Sequence, residues 1–405
     1  MNYPQSKKIT RDMLALSGAE IIGGYVKDGA IIPALSPVRA ADGCPKNVIF
    51  AYYAQKIKRL IAVADGRFYL AGNSLVFGNG IEFSAESPFI FFSREGEAIA
   101  AGDGECMSTQ SALPEKLPFK SGIFGGVSKS GRVFAIDKED NFIIRWSGKN
   151  GGLDWEEGID GAGWLRLSPE KGKILNIAVY NEKLVALCEY GLALLTAYGT
   201  PENFKLQYID GATGKVYANT ACVAGGKLAF FTENGLRLFD GTKVEAPCFE
   251  IETDVSNPRF SFGADGVYFL CADSVNLQRR VIFAVDIVNS CAYIVDLPAT
   301  AAYINGNVFC FADGGIYELK RGGGFTFTSG RTDFGVRGKK ALVSVFAGNE
   351  NPADIEVISD GKSRIVRGVR GYCLPCVSGN GFKIKIRSDG EVRGLCAVAE
   401  AIDGI

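Results

Sequence analysis

The feature that most constrains this chain is a repeat of about 40 residues. Lys183-Leu184 precedes Gly191-Leu192 at the same spacing as Lys227-Leu228 precedes Gly235-Leu236, 44 positions later, and Leu194 is matched by Leu238. Asn307-Val308 followed by Gly315-Ile316 is a third copy. A unit this small, made of short apolar runs and glycine turns, cannot bury its apolar surface alone. Several must stack, and four short strands per unit make propeller blades. About seven units fit between residues 45 and 335. The turn Ala64-Asp65-Gly66-Arg67-Phe68-Tyr69 in the first is echoed by Ala312-Asp313-Gly314-Gly315-Ile316-Tyr317 in the seventh. Such turns suit hairpins because glycine takes positive φ without steric cost.

The period ends after Gly335, and residues 336–405 instead alternate in polarity over five short runs. This predicts an appended C-terminal β-sandwich or barrel. Residues 1–44 carry no repeat and read as an N-terminal arm. The expected organisation is therefore all-β: arm 1–44, propeller 45–335 and C-terminal β domain 336–405. Fifty-one glycines and 47% hydrophobic residues suit a turn-rich β protein and argue against disorder.

Several function classes lose ground on composition. The chain has no histidine, which removes serine–histidine and cysteine–histidine catalysis and every histidine-ligated metal centre. A formal net charge of −1 gives no bulk attraction to nucleic acid or membrane. The run Met13-Leu14-Ala15-Leu16 is too short for the apolar core of an export signal, and no later run has the length of a membrane span. Eleven cysteines are scattered, several inside apolar runs such as Phe309-Cys310-Phe311, so they read as free, buried thiols in a reducing compartment.

Four local patterns are candidates for chemistry. Gly148-Lys149-Asn150-Gly151-Gly152-Leu153-Asp154-Trp155 partly matches the Asp-box turn of sialidase-like propellers at Asn150, Gly152 and Trp155, whereas Gly148 and Asp154 stand where hydroxyl residues belong. Cys373-Leu374-Pro375-Cys376 has redox spacing, but its surroundings are strand-like and lack the helix N-terminus that activates such a thiol. Asp137, Glu139, Asp140 and Asn141 cluster in a turn without the ligand ladder of a calcium loop. Lys383, Lys385 and Arg387 alternate with Phe382, Ile384 and Ile386, placing three cations on one strand face. Eight basic residues against Asp389 and Glu391 between 362 and 393 make that face a candidate for DNA or an acidic partner. No cofactor or metal site is expected.

The passage Phe142-Ile143-Ile144-Arg145-Trp146-Ser147, then Leu153-Asp154-Trp155 and Gly163-Trp164-Leu165, resembles tailed-phage virion propeller proteins of the packaged-DNA stabilisation and tail-accessory type. Gly330-Arg331-Thr332-Asp333-Phe334-Gly335 with Lys339-Lys340 is similar to the entry into their terminal β domain. The resemblance implies a non-enzymatic structural component of a phage or prophage particle, made in the bacterial cytoplasm and resident in the virion. Its partners would be copies of itself in a ring, other connector or tail proteins, and packaged DNA, with no membrane. Trp146, Trp155 and Trp164 then become candidate interface anchors. The competing expectation, from the partial Asp box and the tryptophans, is a glycan-binding or sialidase-like propeller.

Overall fold

The computed structural model describes residues 8–14, 20–27, 29–93, 95–109, 114–149, 152–209, 214–247, 254–288 and 290–402. Asn150, of the Asp-box-like turn, and Cys248 lie outside the described residues. Helical structure among the described residues is limited to 3₁₀ turns such as Pro169–Lys171 and Pro201–Asn203. The chain forms two compact units, one of residues 37–290 and 296–319, the other of residues 1–36, 291–295 and 320–405.

The first unit, with strand residues 35–36, 291–295 and 320–321 added from the other, makes a β-propeller of seven antiparallel four-stranded sheets. Six blades follow each other along the chain at 48–82, 89–118, 123–166, 174–209, 222–245 and 255–295. The seventh takes Ala301–Asn305, Asn307–Ala312 and Gly315–Arg321 from the end of the repeat and its fourth strand, Leu35–Ala41, from before the first blade. The first strand of blade seven lies against Val48–Ala54, the first strand of blade one, so the ring is closed.

Blade faces pack on one another through apolar side chains. Phe134, Ile144 and Trp146 of blade three share a cluster with Ile177, Leu184 and Leu195 of blade four. Val185, Leu187 and Leu194 of blade four meet Leu228, Phe230 and Phe239 of blade five. A middle strand is therefore buried on both faces, which is why Lys183–Cys188 and Lys227–Thr232 are nearly continuous apolar runs and not alternating ones.

The hairpin turns follow from residue type. Asp65-Gly66, Ser130-Gly131, Asp265-Gly266 and Asp313-Gly314 all have positive φ at both positions, the geometry whose twist matches the flanking strands. Gly191, Gly235 and Gly315 occupy the same register, each opening a strand opposite Cys188, Thr232 and Ala312. Only Gly235 takes positive φ, at 94°.

The second unit is a sandwich of two sheets over one core. One sheet runs Gly24–Lys27, Ala30–Pro33, Val392–Ala401, Lys340–Asn349, Gly371–Cys373, with Lys8–Asp12 also on Val392–Ala401 and Val377–Gly379 on Lys340–Asn349. The other runs Glu20–Ile22, Phe325–Thr328, Phe382–Ser388, Ala353–Ser359, Lys362–Val369. Ile31, Phe325, Leu342, Ile355, Ile384 and Ala397, drawn from both sheets, are buried together.

Two expectations about boundaries need correction. Residues 1–44 are not a free arm: their strands complete a blade and both sandwich sheets, because their backbone groups find partners far along the chain. The second unit also starts before 336, since Phe325 and Phe327 are 2% and 1% exposed in its core.

Candidate functional site

The glycine-rich insertion of blade three joins Ile143–Trp146 to Gly163–Arg166 and is held from inside. Buried Arg132 donates from Nη1 to the carbonyls of Ser147 (2.8 Å), Asp160 (3.0 Å) and Gly161 (2.9 Å). The Trp146 indole donates to the same Gly161 carbonyl at 3.0 Å. One guanidinium and one indole thus pin both ends of the loop. Burial makes Arg132 easier to deprotonate than a free guanidinium, a cost offset by three carbonyl dipoles.

The three tryptophans do different work. Trp146 is 6% exposed and packs against Phe134 and Phe204, so it is core of blades three and four and is unavailable as an interface anchor. Trp155 donates to the Gly152 carbonyl at 2.7 Å and sets its ring edge-on to Phe119, at 5.7 Å between centroids. Gly152 has φ 89°, and a Cβ there would lie 2.6 Å from Val133. The Asp-box-like turn is accordingly a packing device within blades two and three. Trp164 alone is open to solvent, at 46%, with its indole N–H 3.4 Å from Glu157 Oε2.

The acidic turn spends its oxygens locally. Asp137 Oδ1 accepts from the backbone N–H of Glu139 and Asp140 at 2.9 and 3.0 Å, and its Oδ2 accepts from Arg145 Nε. Asp140 accepts from Phe142 N and Arg166 Nη1. These are turn caps and ion pairs. No group of three or more potential metal-binding side chains exists among the described residues.

Cys44, Cys106, Cys188, Cys222, Cys271, Cys310, Cys373 and Cys376 are free thiols. Cys373 ends the strand Gly371–Cys373 and is buried, and that burial pushes its thiol up, opposite to what a redox pair requires. Cys376, three residues on, is exposed. In the propeller, burial raises Cys44 to about 11 and Cys106, Cys188 and Cys271 to about 12.

The basic strand keeps its alternation. Phe382, Ile384 and Ile386 are 0% exposed, whereas Lys383 and Arg387 are exposed and Lys385 is half-buried. What the sequence conceals is the neighbouring strand. Asp354 lies opposite Arg387 and Glu356 opposite Lys385 in register. A shallow groove of about 150 Å³ runs between Asp354, Glu356, Ile365, Arg367, Lys385 and Arg387. The face is therefore striped, with a carboxylate column beside the cations. It is not uniformly basic.

A larger cavity, about 290 Å³, escapes any reading of local motifs. It lies in the propeller, walled by Tyr52, Ala54 and Ile57 of blade one and Phe92, Glu97 and Ala98 of blade two. Tyr52 and Phe92 belong to the first strands of their blades and meet edge to face, 6.4 Å apart at 67°.

No protein-family model matches the chain, and no curated protein matches it. Solved structures similar to it include BBS1N in complex with ARL6DN, at 10% identity and TM-score 0.46, covering 73% of this chain and 97% of that one. The Neurospora crassa Pan2 WD40 domain gives 9% identity and TM-score 0.44 over 73% of this chain and 95% of that one. The extracellular domain of a putative one-component system from B. thetaiotaomicron gives 9% identity and TM-score 0.49, covering 87% of this chain and 58% of that one. With scores this low, the propeller assignment stands on the chain's own seven sheets.

Proposed function

We propose that the protein is a non-enzymatic structural subunit of a phage or prophage particle, one copy of a ring in the head–tail connector or tail. Support for assembly comes from one observation above all, an aromatic pair left in solvent on the outer face of the larger sandwich sheet. Phe346 and Tyr372 are directly opposite in register and are 49% and 67% exposed, with Leu374 beside them in the chain at 58%. Cross-strand aromatics normally stabilise a sheet by sharing burial, and an exposed apolar cluster of this kind marks an interaction surface. The phage setting is supported by the passage around Arg145-Trp146-Ser147 and Gly163-Trp164-Leu165.

In this reading, subunits and tail proteins are the main partners. The striped face at Lys383, Lys385 and Arg387 suits a protein of alternating charge better than a phosphate backbone, because Asp354 and Glu356 would repel phosphates. Mass photometry of the full chain tests the assembly role. Closed oligomers are expected, and Phe346→Ser with Tyr372→Ser should return them to monomers without lowering the melting temperature. Mass spectrometry of purified particles tests the setting, and several copies per particle are expected. A chain that stays monomeric at high concentration and is missing from particles would remove the proposal.

A further inference from the structure

We propose that the Tyr52–Phe92 cavity is a binding site for one aromatic ring bearing a hydrogen-bonding group, an inference independent of the assembly role. Size is the first argument. A dry cavity of about 150 Å³ takes one benzene, and drug-sized ligands need roughly 300–1,000 Å³. At about 290 Å³ this one holds a substituted ring and little more.

Wall chemistry is the second. Two rings set at 67° offer a guest ring one stacked and one edge contact together, the two favourable aromatic geometries. Ala54, Ile57 and Ala98 add apolar groups to a wall completed by Gln55, Lys56, Glu95, Gly96 and Glu97. The polar side chains nearby are already engaged. Lys56 Nζ donates to the Glu95 carbonyl, Gln55 Nε2 donates to Asn305 Oδ1 at 3.3 Å, and Glu97 Oε1 accepts from Ser108 Oγ (2.6 Å) and Thr109 N (2.8 Å).

The Tyr52 hydroxyl is the exception. It has no hydrogen-bond partner among the described residues, and Tyr52 lines the cavity, so this hydroxyl is assigned to the guest. Burial also keeps this phenol protonated to higher pH, so it is a neutral donor across the physiological range. Phe92 is 44% exposed, so the ring that shapes the mouth can be removed without opening the core.

The experiment uses the full chain with indole, p-cresol and cyclohexanol, followed by saturation-transfer NMR and calorimetry. Saturable binding of indole and p-cresol with a Kd of about 1 mM or tighter is expected, and cyclohexanol should bind at least several-fold more weakly. Phe92→Ala should weaken indole about tenfold with an unchanged melting curve. Tyr52→Phe should weaken p-cresol and leave toluene unaffected. N-acetyl-tyrosinamide separates the two sources of such a ring. Tighter binding than p-cresol identifies a peptide side chain, and weaker binding a free aromatic compound. No saturable binding of either ring to the wild type, or binding indifferent to Phe92→Ala, overturns the assignment.

Discussion

The propeller and the sandwich solve the burial of a β-sheet in opposite ways. In a blade, the middle strand is covered on both faces: in Lys227–Thr232 every residue after the lysine is buried. In the sandwich, Ala353–Ser359 and Phe382–Ser388 bury alternate residues and leave the others half or fully exposed. The middle strands of a blade can therefore vary little, and the Tyr52–Phe92 cavity and the tryptophan loop are found on first strands and in a connection instead. The sandwich can vary along whole sheet faces, and those carry the charge stripes and the Phe346–Tyr372 pair.

The largest expected effect tests this contrast with one new carboxylate in each unit. Ala229→Asp in blade five places a carboxylate where exposure is 0%, and should cost about 3–5 kcal/mol or prevent folding. Lys383→Asp, next to an equally buried isoleucine, should leave the melting temperature almost unchanged, since surface substitutions fall within about 0.5 kcal/mol. Equal losses at both sites would mean that the sandwich face is covered in the free chain.

Alkaline pH should separate the two units next. The propeller thiols Cys106, Cys188 and Cys271 titrate at about 12 when folded, against 9.0 for a free thiol. A raised folded pKa leaves stability intact below pH 9, because the thiols are neutral in both states. Above pH 9 the unfolded chain ionises first, and stability is lost progressively until about pH 12. In the sandwich, burial also raises the Cys373 thiol. Denaturation midpoints between pH 8 and pH 11 should accordingly fall more for a propeller probe such as Trp146 fluorescence than for a sandwich probe such as reactivity of Cys373. A flat profile for the propeller would contradict burial of its thiols.

A smaller effect tests the repeat itself. Gly235→Val forces a β-branched residue to φ 94° and should cost about 1–3 kcal/mol. Gly191→Ala meets the Lys171 side chain, whose Cδ is 3.1 Å from the added Cβ and can move, and the Ile209 carbonyl at an ordinary 3.6 Å, so about 0.5 kcal/mol or less is expected. Chemical denaturation of the two variants distinguishes equivalence in register from equivalence in conformation.

That distinction also explains what the sequence could reveal. Repeat spacing and Asp-Gly turns report local backbone, so a propeller of about seven blades and its hairpin turns were legible. Pairing between distant segments was not. Nothing in Leu35–Ala41 announces that it closes blade seven beside Gly315–Arg321, and nothing in Glu20–Ile22 announces Phe325–Thr328 as its partner. The same limit applies to the sites. Tyr52 and Phe92 look like ordinary strand aromatics until the ring brings the first strands of two blades together. Lys383, Lys385 and Arg387 looked like a basic surface because alternation is visible in one strand, while the register with Asp354 and Glu356 is not.

The smallest stability effect should come from that register, and it carries the sharpest functional contrast. Asp354→Asn with Glu356→Gln removes the carboxylate column and keeps every cation. Stability should change by about 1 kcal/mol or less, the range of exposed ion pairs, with the Gly368 N–H still able to donate to the residue 354 side chain at 3.0 Å. Affinity for duplex DNA should rise, and its dependence on salt should steepen, because each added phosphate contact releases a counterion. In the wild type, fluorescence anisotropy with a 20-base-pair duplex should show weak binding that vanishes near physiological salt. If the wild type already binds tightly and the double variant binds no better, the carboxylates do not control this face, and packaged DNA becomes its natural partner.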